Sequence, residues 1–169
     1  VAPIVSTEKS AAVILKYWAK KWKRVPDFLV IEGPKAGGHL GFTKEQLHLF
    51  DAAAYGEEVK RIIARAREYE VKFGRKIPVV LGGGVSSREK AKEAFALGAD
   101  AIQVASRFVT TAECDADERY KQAYISAREE DVMLIKSPVG MPGRAIHNSF
   151  AERIMGGEKL PPKRCRDCI

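Results

Sequence analysis

The chain is 169 residues long, with 46% hydrophobic and 30% charged residues, a balance that excludes a disordered chain and fits one domain of ordinary size or a piece of a larger one. No apolar run reaches the length of a membrane span, and the opening "VAPIVSTEKS" lacks the basic start and long apolar stretch of a signal peptide, so the sequence reads as a cytoplasmic protein with no membrane partner. The formal net charge of +7 does not imply a nucleic-acid partner, because Lys and Arg are spread among acids and cluster only at "KKWKR" (20–24) and "KRCR" (163–166), which read as a solvated face or helix end.

A short strand is expected at Pro3 to Val5. From Ala11 to Val25 the residues Ala11, Ile14, Leu15, Trp18, Trp22 and Val25 recur at helical spacing, with Lys16, Lys20, Lys21 and Lys23 largely elsewhere, which predicts a core-facing helix. "VPDFLVIEG" is an apolar run of strand length bounded by Pro26 and Gly33. A second helix is predicted from Gly56 to Phe73 on the apolar positions Val59, Ile62, Ile63, Ala66 and Tyr69, followed by a third strand in "KIPVVLGGG". Ser86 with Glu89 has the spacing of a capping box, so the next helix is expected to start there and to end at Gly98. "ADAIQVASRF" supplies the fourth strand and the loop after it. Beyond it the sequence predicts a helix near Asp117 to Arg128, a short apolar "VMLI" (132–135), a Pro/Gly loop "SPVGMPGRA" and a last helix from about His147. Strands without polar alternation, alternating with helices, predict an α/β fold with a parallel sheet covered by helices.

Cys114 stands alone, and Cys165 with Cys168 could hold a metal only with ligands from elsewhere, so no metal site is assigned. The chain opens on Val1 almost directly into the apolar "APIV" and stops just after the Cys pair; both ends read as cut.

The polar glycine segments fall at the carboxyl ends of the predicted strands, where parallel α/β architectures hold their ligands. Gly82, Gly83 and Gly84 stand between a strand and a helix N-terminus, where free N–H groups and the helix dipole favour an anion such as phosphate; the alternative is a plain tight turn. The junction "QVASRF" adds the N–H groups of Ala105 and Ser106, the Ser106 hydroxyl and nearby Arg107, and a phosphate held between the loops after the last two strands is recurrent in (β/α)8 barrels. Gln103 either points into the barrel mouth toward a cofactor or satisfies a neighbour. In "IEGPKAGGHLGF" (31–42), His39 sits among Gly37, Gly38 and Gly41, which lets a ligand approach the main chain closely. A loop histidine capping a neighbouring carbonyl is the alternative. His48 and His147 lack such surroundings.

"IEGPKAGGHLG", "IPVVLGGGVSS" and "LGADAIQVASRF" resemble, in this order, the Glu-Gly-x-x-Ala-Gly-Gly-His-x-Gly segment, the flavin-phosphate loop and the Gly-Ala-Asp-x-Val-Gln-x-Gly-Thr-Arg-Phe segment of the nitronate monooxygenases (2-nitropropane dioxygenases) and the related flavin-dependent enoyl-acyl carrier protein reductases. The resemblance runs from about residue 3 to 150. It implies an FMN-binding TIM (β/α)8 barrel of which this chain carries the C-terminal half, about four β/α units, with the first strand here the fifth of the eight. Residues 1–135 would form the half-barrel, and 136–169 an active-site-covering loop and C-terminal helical segment.

The resemblance makes His39 the catalytic residue facing the flavin, as a base removing a proton next to a nitro group or as an anchor for the nitronate. It makes Gly37, Gly38, Gly82, Gly83, Gly84, Gln103, Ala105 and Ser106 the FMN-binding set. Ser137, Met141 and Arg144 in "SPVGMPGRAIHNSF" are candidates for the substrate side, with a plain connector as the alternative. Lys35 stands where the family commonly has an acid, which bears on substrate choice. Ala105-Ser106 replaces Gly-Thr but keeps a hydroxyl and backbone donors.

The implied reaction is oxidation of alkyl nitronates with O2 to a carbonyl compound and nitrite. The alternatives are FMN-dependent reduction of an enoyl thioester, and a non-catalytic half-barrel that binds phosphate or nothing. The expected partners are a small-molecule substrate and, at the open sheet edges, another copy or the missing N-terminal half of the barrel.

Overall fold

The computed structural model describes residues 1–137 and 140–158. Cys165, Cys168 and the basic run at 163–166 lie outside the described residues, as does part of the 136–169 segment.

Four strands, β1 (Ile4–Val5), β2 (Leu29–Glu32), β4 (Val79–Gly82) and β5 (Ala101–Gln103), form a parallel sheet in the order β1-β2-β4-β5. Each crossover carries a helix: α1 (Glu8–Trp22), α3 (Ala52–Phe73) and α4 (Arg88–Ala96). The register explains how strands with little polar alternation still have two faces. Val5, Ile31, Leu81 and Ile102 lie in one row and belong to or pack on the helix-side core, with Leu15, Val59, Ile62 and Ala66. Ile4, Val30, Val80 and Ala101 lie in the adjacent row, whose side chains point to the opposite face. Burying a Leu or Ile such as Leu15, Leu29 or Ile62 completely is worth about 1.5–3 kcal/mol each, and this seam fixes helix against sheet. The result is an α/β fold of parallel strands covered by helices, arranged as part of a (β/α)8-type barrel.

Helix boundaries follow local chemistry. Thr7 caps α1 by accepting the Ser10 N–H, with Ser10 bonding back, and the helix stops where Lys23 turns left-handed at φ 50°. It therefore ends before Val25, which is buried in the following loop. Asp51 caps α3 through the Ala54 N–H, one turn ahead of the predicted start, and Gly74 ends it at φ 60°. The expected Ser86–Glu89 box is not what starts α4: Ser87, in extended backbone, accepts the Lys90 N–H at 3.3 Å, and the helix begins at Arg88.

The largest departure from the sequence reading is a second sheet. β6 (Val132–Lys136) and β7 (Pro142–Ile146) form an antiparallel hairpin, and β3 (Gly38–His39) adds to its other side in the order β3-β7-β6. Within "SPVGMPGRA", expected as a Pro/Gly loop, residues 142–145 are thus most of a central strand. The turn closes with the Ser137 N–H donating to Met141 O (3.0 Å) and the Gly140 N–H to Ser137 O (2.8 Å). A Cβ on Gly143 would lie 3.4 Å from Ile135 Cγ1 and 3.5 Å from Gly38 O, ordinary packing distances. Pro142 opens the strand, where proline is tolerated. Short helices α2 (Lys44–Leu49), α5 (Ser106–Val109), α6 (Glu118–Ser126) and α7 (Ser149–Met155) complete the described chain. Among the described residues no helix is long and apolar enough to cross a membrane.

Candidate functional site at the carboxyl end of the parallel strands

The site begins where β2 and β4 end. Glu32, Gly82 and Gln103 are register partners, two residues beyond Val30, Val80 and Ala101 and so on the same face, away from the helices. A Cβ on Gly82 would lie 3.2 Å from Gln103 Cβ, so the glutamine side chain lies over Gly82. Its amide makes no hydrogen bond among the described residues. Burial pushes the Glu32 carboxyl above its ordinary range.

The glycines sort into two groups. Gly33 donates to Gly82 O at 3.0 Å, and the backbones then run so close that a Cβ on Gly83 would lie 2.9 Å from Gly33 N and 3.0 Å from Gly33 O. Gly83 and Gly84 also adopt φ 91° and 82°, left-handed backbone that favours glycine. A Cβ on Gly41 would lie 2.4 Å from the Oγ of Ser6, which is buried. Internal packing or backbone conformation therefore accounts for Gly33, Gly41, Gly82, Gly83 and Gly84. Gly37 and Gly38 differ: a Cβ on either meets nothing within 4 Å, and only Gly38, at φ 73°, has a conformational reason to be glycine.

Among the described residues, the backbone N–H groups of Gly83, Gly84, Ala105 and Ser106 donate to no other group. Ala105 and Ser106 lie at the start of α5, where N–H groups lack intrahelical partners.

His39 reaches the site through the second sheet. Its backbone pairs with Gly143, Gly38 pairs with Arg144, and the Leu40 N–H donates to Pro142 O at 2.9 Å. The imidazole Nε2 lies 2.5 Å from Ser137 Oγ. Ser137 is buried while the His39 residue is exposed. The other two candidates of this segment sit differently: Met141 is exposed at the hairpin turn, and Arg144 donates Nε to Ala36 O (3.1 Å) and Nη2 to Pro34 O (2.7 Å).

Two residues here escape a sequence reading. The Tyr55 hydroxyl lies 3.2 Å from the carbonyl oxygens of both Ser6 and Glu32, tying the ends of β1 and β2 together, and its ring packs edge-on against Phe42 and Phe50. Burial, then the nearby Glu58 and Glu32 charges, push its hydroxyl well above the ordinary tyrosine range. Ser6 supplies the wall against Gly41. Both lie one step beyond the helical or strand pattern that signals their neighbours, and the tight Gly41 is the one hint that something must approach it.

A mouth of this construction, at the carboxyl end of a parallel sheet covered by helices, has the layout of part of a (β/α)8-type barrel, and comparison with known proteins gives the family. The structure aligns with that of FabK from Thermotoga maritima at TM-score 0.67 and 26% identity, over 92% of this chain and 42% of that one. It aligns with the nitroalkane oxidase from Streptomyces ansochromogenes at TM-score 0.66 and 21% identity, over 92% and 40%, a likeness of fold. A probable nitronate monooxygenase of Staphylococcus aureus (strain Newman) is 27% identical over 131 residues, covering 76% of this chain and 34% of the relative. The chain thus spans about a third of the length of the curated relatives it matches. Residues 1–165 match the family model of nitronate monooxygenase; the chain belongs to that family.

Proposed function

We propose that this chain forms the phosphate-binding and proton-handling part of an FMN-dependent oxidoreductase that oxidises alkyl nitronates with O2 to a carbonyl compound and nitrite. The observation that carries the reading is the His39–Ser137 pair, held beside the open ground of Gly37 and Gly38 at the mouth of the parallel sheet.

The residues fit the cofactor. Unused N–H groups at Gly83, Gly84, Ala105 and Ser106 suit a dianionic phosphate, and the Gln103 amide on the inner face suits a polar edge of the same molecule. Gly37 and Gly38 leave room beside them. When bound, FMN supplies the electron-transfer chemistry. His39 accepts the proton from the carbon next to the nitro group, or, with an already ionised nitronate, holds the anion by a hydrogen bond. In the tautomer with Nε2–H donating to Ser137 Oγ, the lone pair that takes the proton lies on Nδ1, and Ser137 fixes the tautomer and orientation of the ring. Ser137 and Met141 form the substrate side. In this reading the four parallel strands with their helices, through α5, are the fifth to eighth β/α units, and the β6–β7 hairpin covers the site. The first half of the barrel, or a second copy, closes the edges left by β1 and β5.

A second reading is reduction of an enoyl thioester, supported by the likeness to FabK. Both are tested on the FMN-reconstituted protein by nitronate-dependent O2 uptake against enoyl-thioester-dependent NAD(P)H oxidation. A colourless protein active in neither assay would leave the non-catalytic phosphate-binding fragment.

A further inference from the structure

We propose that Arg144 is the positioning residue of the His39 loop: its side chain and backbone together fix the segment 34–38 so that the imidazole meets Ser137. This rests on the reading of His39 as the proton-handling group.

The first half of the segment Pro34–Gly38 lies against the Gly83–Gly84 loop, with the Ala36 N–H donating to Gly33 O at 3.0 Å, but its second half lacks such support. Lys35, Gly37 and Gly38 are exposed, and Gly37 and Gly38 border open space. Its apolar anchors are Ala36 within it and Leu40 beyond it, both buried. Gly38 at φ 73° is a conformational joint between them.

Across this joint Arg144 makes two kinds of connection. Its backbone is the register partner of Gly38. Its guanidinium donates to Pro34 O at 2.7 Å and to Ala36 O at 3.1 Å. Among the described residues no other side chain hydrogen-bonds a backbone group between Pro34 and Gly38. A planar fork can hold two carbonyls in fixed relation; an ammonium cannot reproduce that geometry. Burial pushes the guanidinium below its ordinary range, as expected for a group whose partners are neutral carbonyls and not a carboxylate.

Position then propagates along the ladder. Arg144 fixes Gly38, the next pair is His39 with Gly143, and Ser137 stands at the near end of the hairpin that carries Gly143. A loose loop lets His39 leave Ser137 while the parallel sheet stays intact. Arg144 thus acts through His39 and need not touch the substrate.

The test uses R144Q and R144K of the FMN-reconstituted protein, with three readouts: the thermal midpoint, the 15N and 1H signals of the His39 ring, and kcat and KM for a neutral nitroalkane. The expected result is a displaced Nε2 signal and a kcat reduced by about 10- to 100-fold, the usual size of misplacing a catalytic group by around 1 Å, with KM within about 3-fold. R144K should recover at most part of the loss. A merely structural role would lower the thermal midpoint without moving the His39 signal in the folded protein, and would overturn the proposal. A raised KM with kcat and the His39 signal unchanged would make Arg144 a substrate anchor instead. Should R144Q fail to fold, R144K carries the same readouts. If the wild-type protein turns over no nitroalkane, the proposed function fails, while the His39 spectra of the variants still decide the role of Arg144.

Discussion

His39 Nε2 and Ser137 Oγ lie 2.5 Å apart although 98 residues separate them in the chain. Neither the parallel sheet nor any helix makes this contact; the small antiparallel sheet does, by placing the two-residue strand at Gly38–His39 against β7. The pair at the mouth of the parallel sheet is therefore held by a structure built outside that sheet.

Replacing His39 with Asn should depress turnover of neutral nitroalkanes about 100-fold or more, the usual size of general base catalysis, and turnover of preformed nitronates far less. Ser137→Ala should fall between wild type and His39→Asn on the neutral substrate, since it leaves the base in place without its partner. Steady-state kinetics on both substrates check this. Equal small losses on both, with FMN still bound, would remove His39 from the mechanism.

The two groups of glycines predict opposite behaviour. Gly83→Ala places a Cβ 2.9 Å from the Gly33 backbone at φ 91° and should destabilise the fold by about 2–4 kcal/mol, from strain and overpacking together. Gly37→Ala meets nothing within 4 Å and should change stability by less than about 0.5 kcal/mol while weakening FMN binding. Urea unfolding and flavin fluorescence titration measure the two effects. A Gly37→Ala protein with unchanged FMN affinity would show that no cofactor approaches that loop.

Much of this was legible beforehand because the parallel units repeat one local rule. Val79, Val80 and Leu81 read as a strand from composition alone, and Val59, Ile62 and Ala66 mark the inner face of α3, although its Asp51 cap lies one turn ahead of the predicted start. The second sheet was not legible. Gly38–His39 is too short to show a period, and in β7 Pro142 and Gly143 carry signals that elsewhere mean a loop. Pro142 and Gly143 become strand by pairing with Lys136 and Ile135 across the local hairpin, whereas Gly38–His39 becomes strand only by pairing with β7 about a hundred positions away, which no local pattern encodes. The candidate His39 could be picked out by the glycines around it. Arg144 could be picked out as a polar residue near the site, but only its bonds to Pro34 O and Ala36 O show what its side chain contacts.

If the unused donors form an anion site, inorganic phosphate added to the FMN-free protein should shift the backbone amide resonances of Gly83, Gly84, Ala105 and Ser106 together, with one dissociation constant that weakens as salt rises. Ser106→Ala should weaken the constant by about 10-fold or more, since a hydrogen bond to a charged group is worth about 1.5–3 kcal/mol. Two-dimensional 1H–15N spectra follow all four amides in one titration. Shifts confined to surface lysines, or differing constants at the two junctions, would count against a single phosphate between them.

At the opposite end of the sheet, the Asp100 carboxylate accepts the Val79 N–H and an Arg67 N–H, both at 2.8 Å, and lies 3.2 Å from Lys76 Nζ. Burial works against its charge, but the bonds from Arg67, Val79 and Lys76 outweigh it and bring its pKa down to about 2. A carboxyl whose pKa is lowered by folding contributes stability above its ordinary pKa of about 4 and loses it as the pH falls through the folded value. Asp100→Asn should therefore cost stability at pH 7, on the order of 1 kcal/mol after solvent screening of the partly exposed pair. The difference between wild type and variant should shrink between about pH 4 and pH 2. Because this end of the sheet is remote from His39, FMN affinity and kcat should not follow the change. Urea midpoints of both proteins across that range provide the measurement, and a stability gap that stays constant down to pH 2 would show that the charge on Asp100 is not what holds β4 to β5 and α3 at this end.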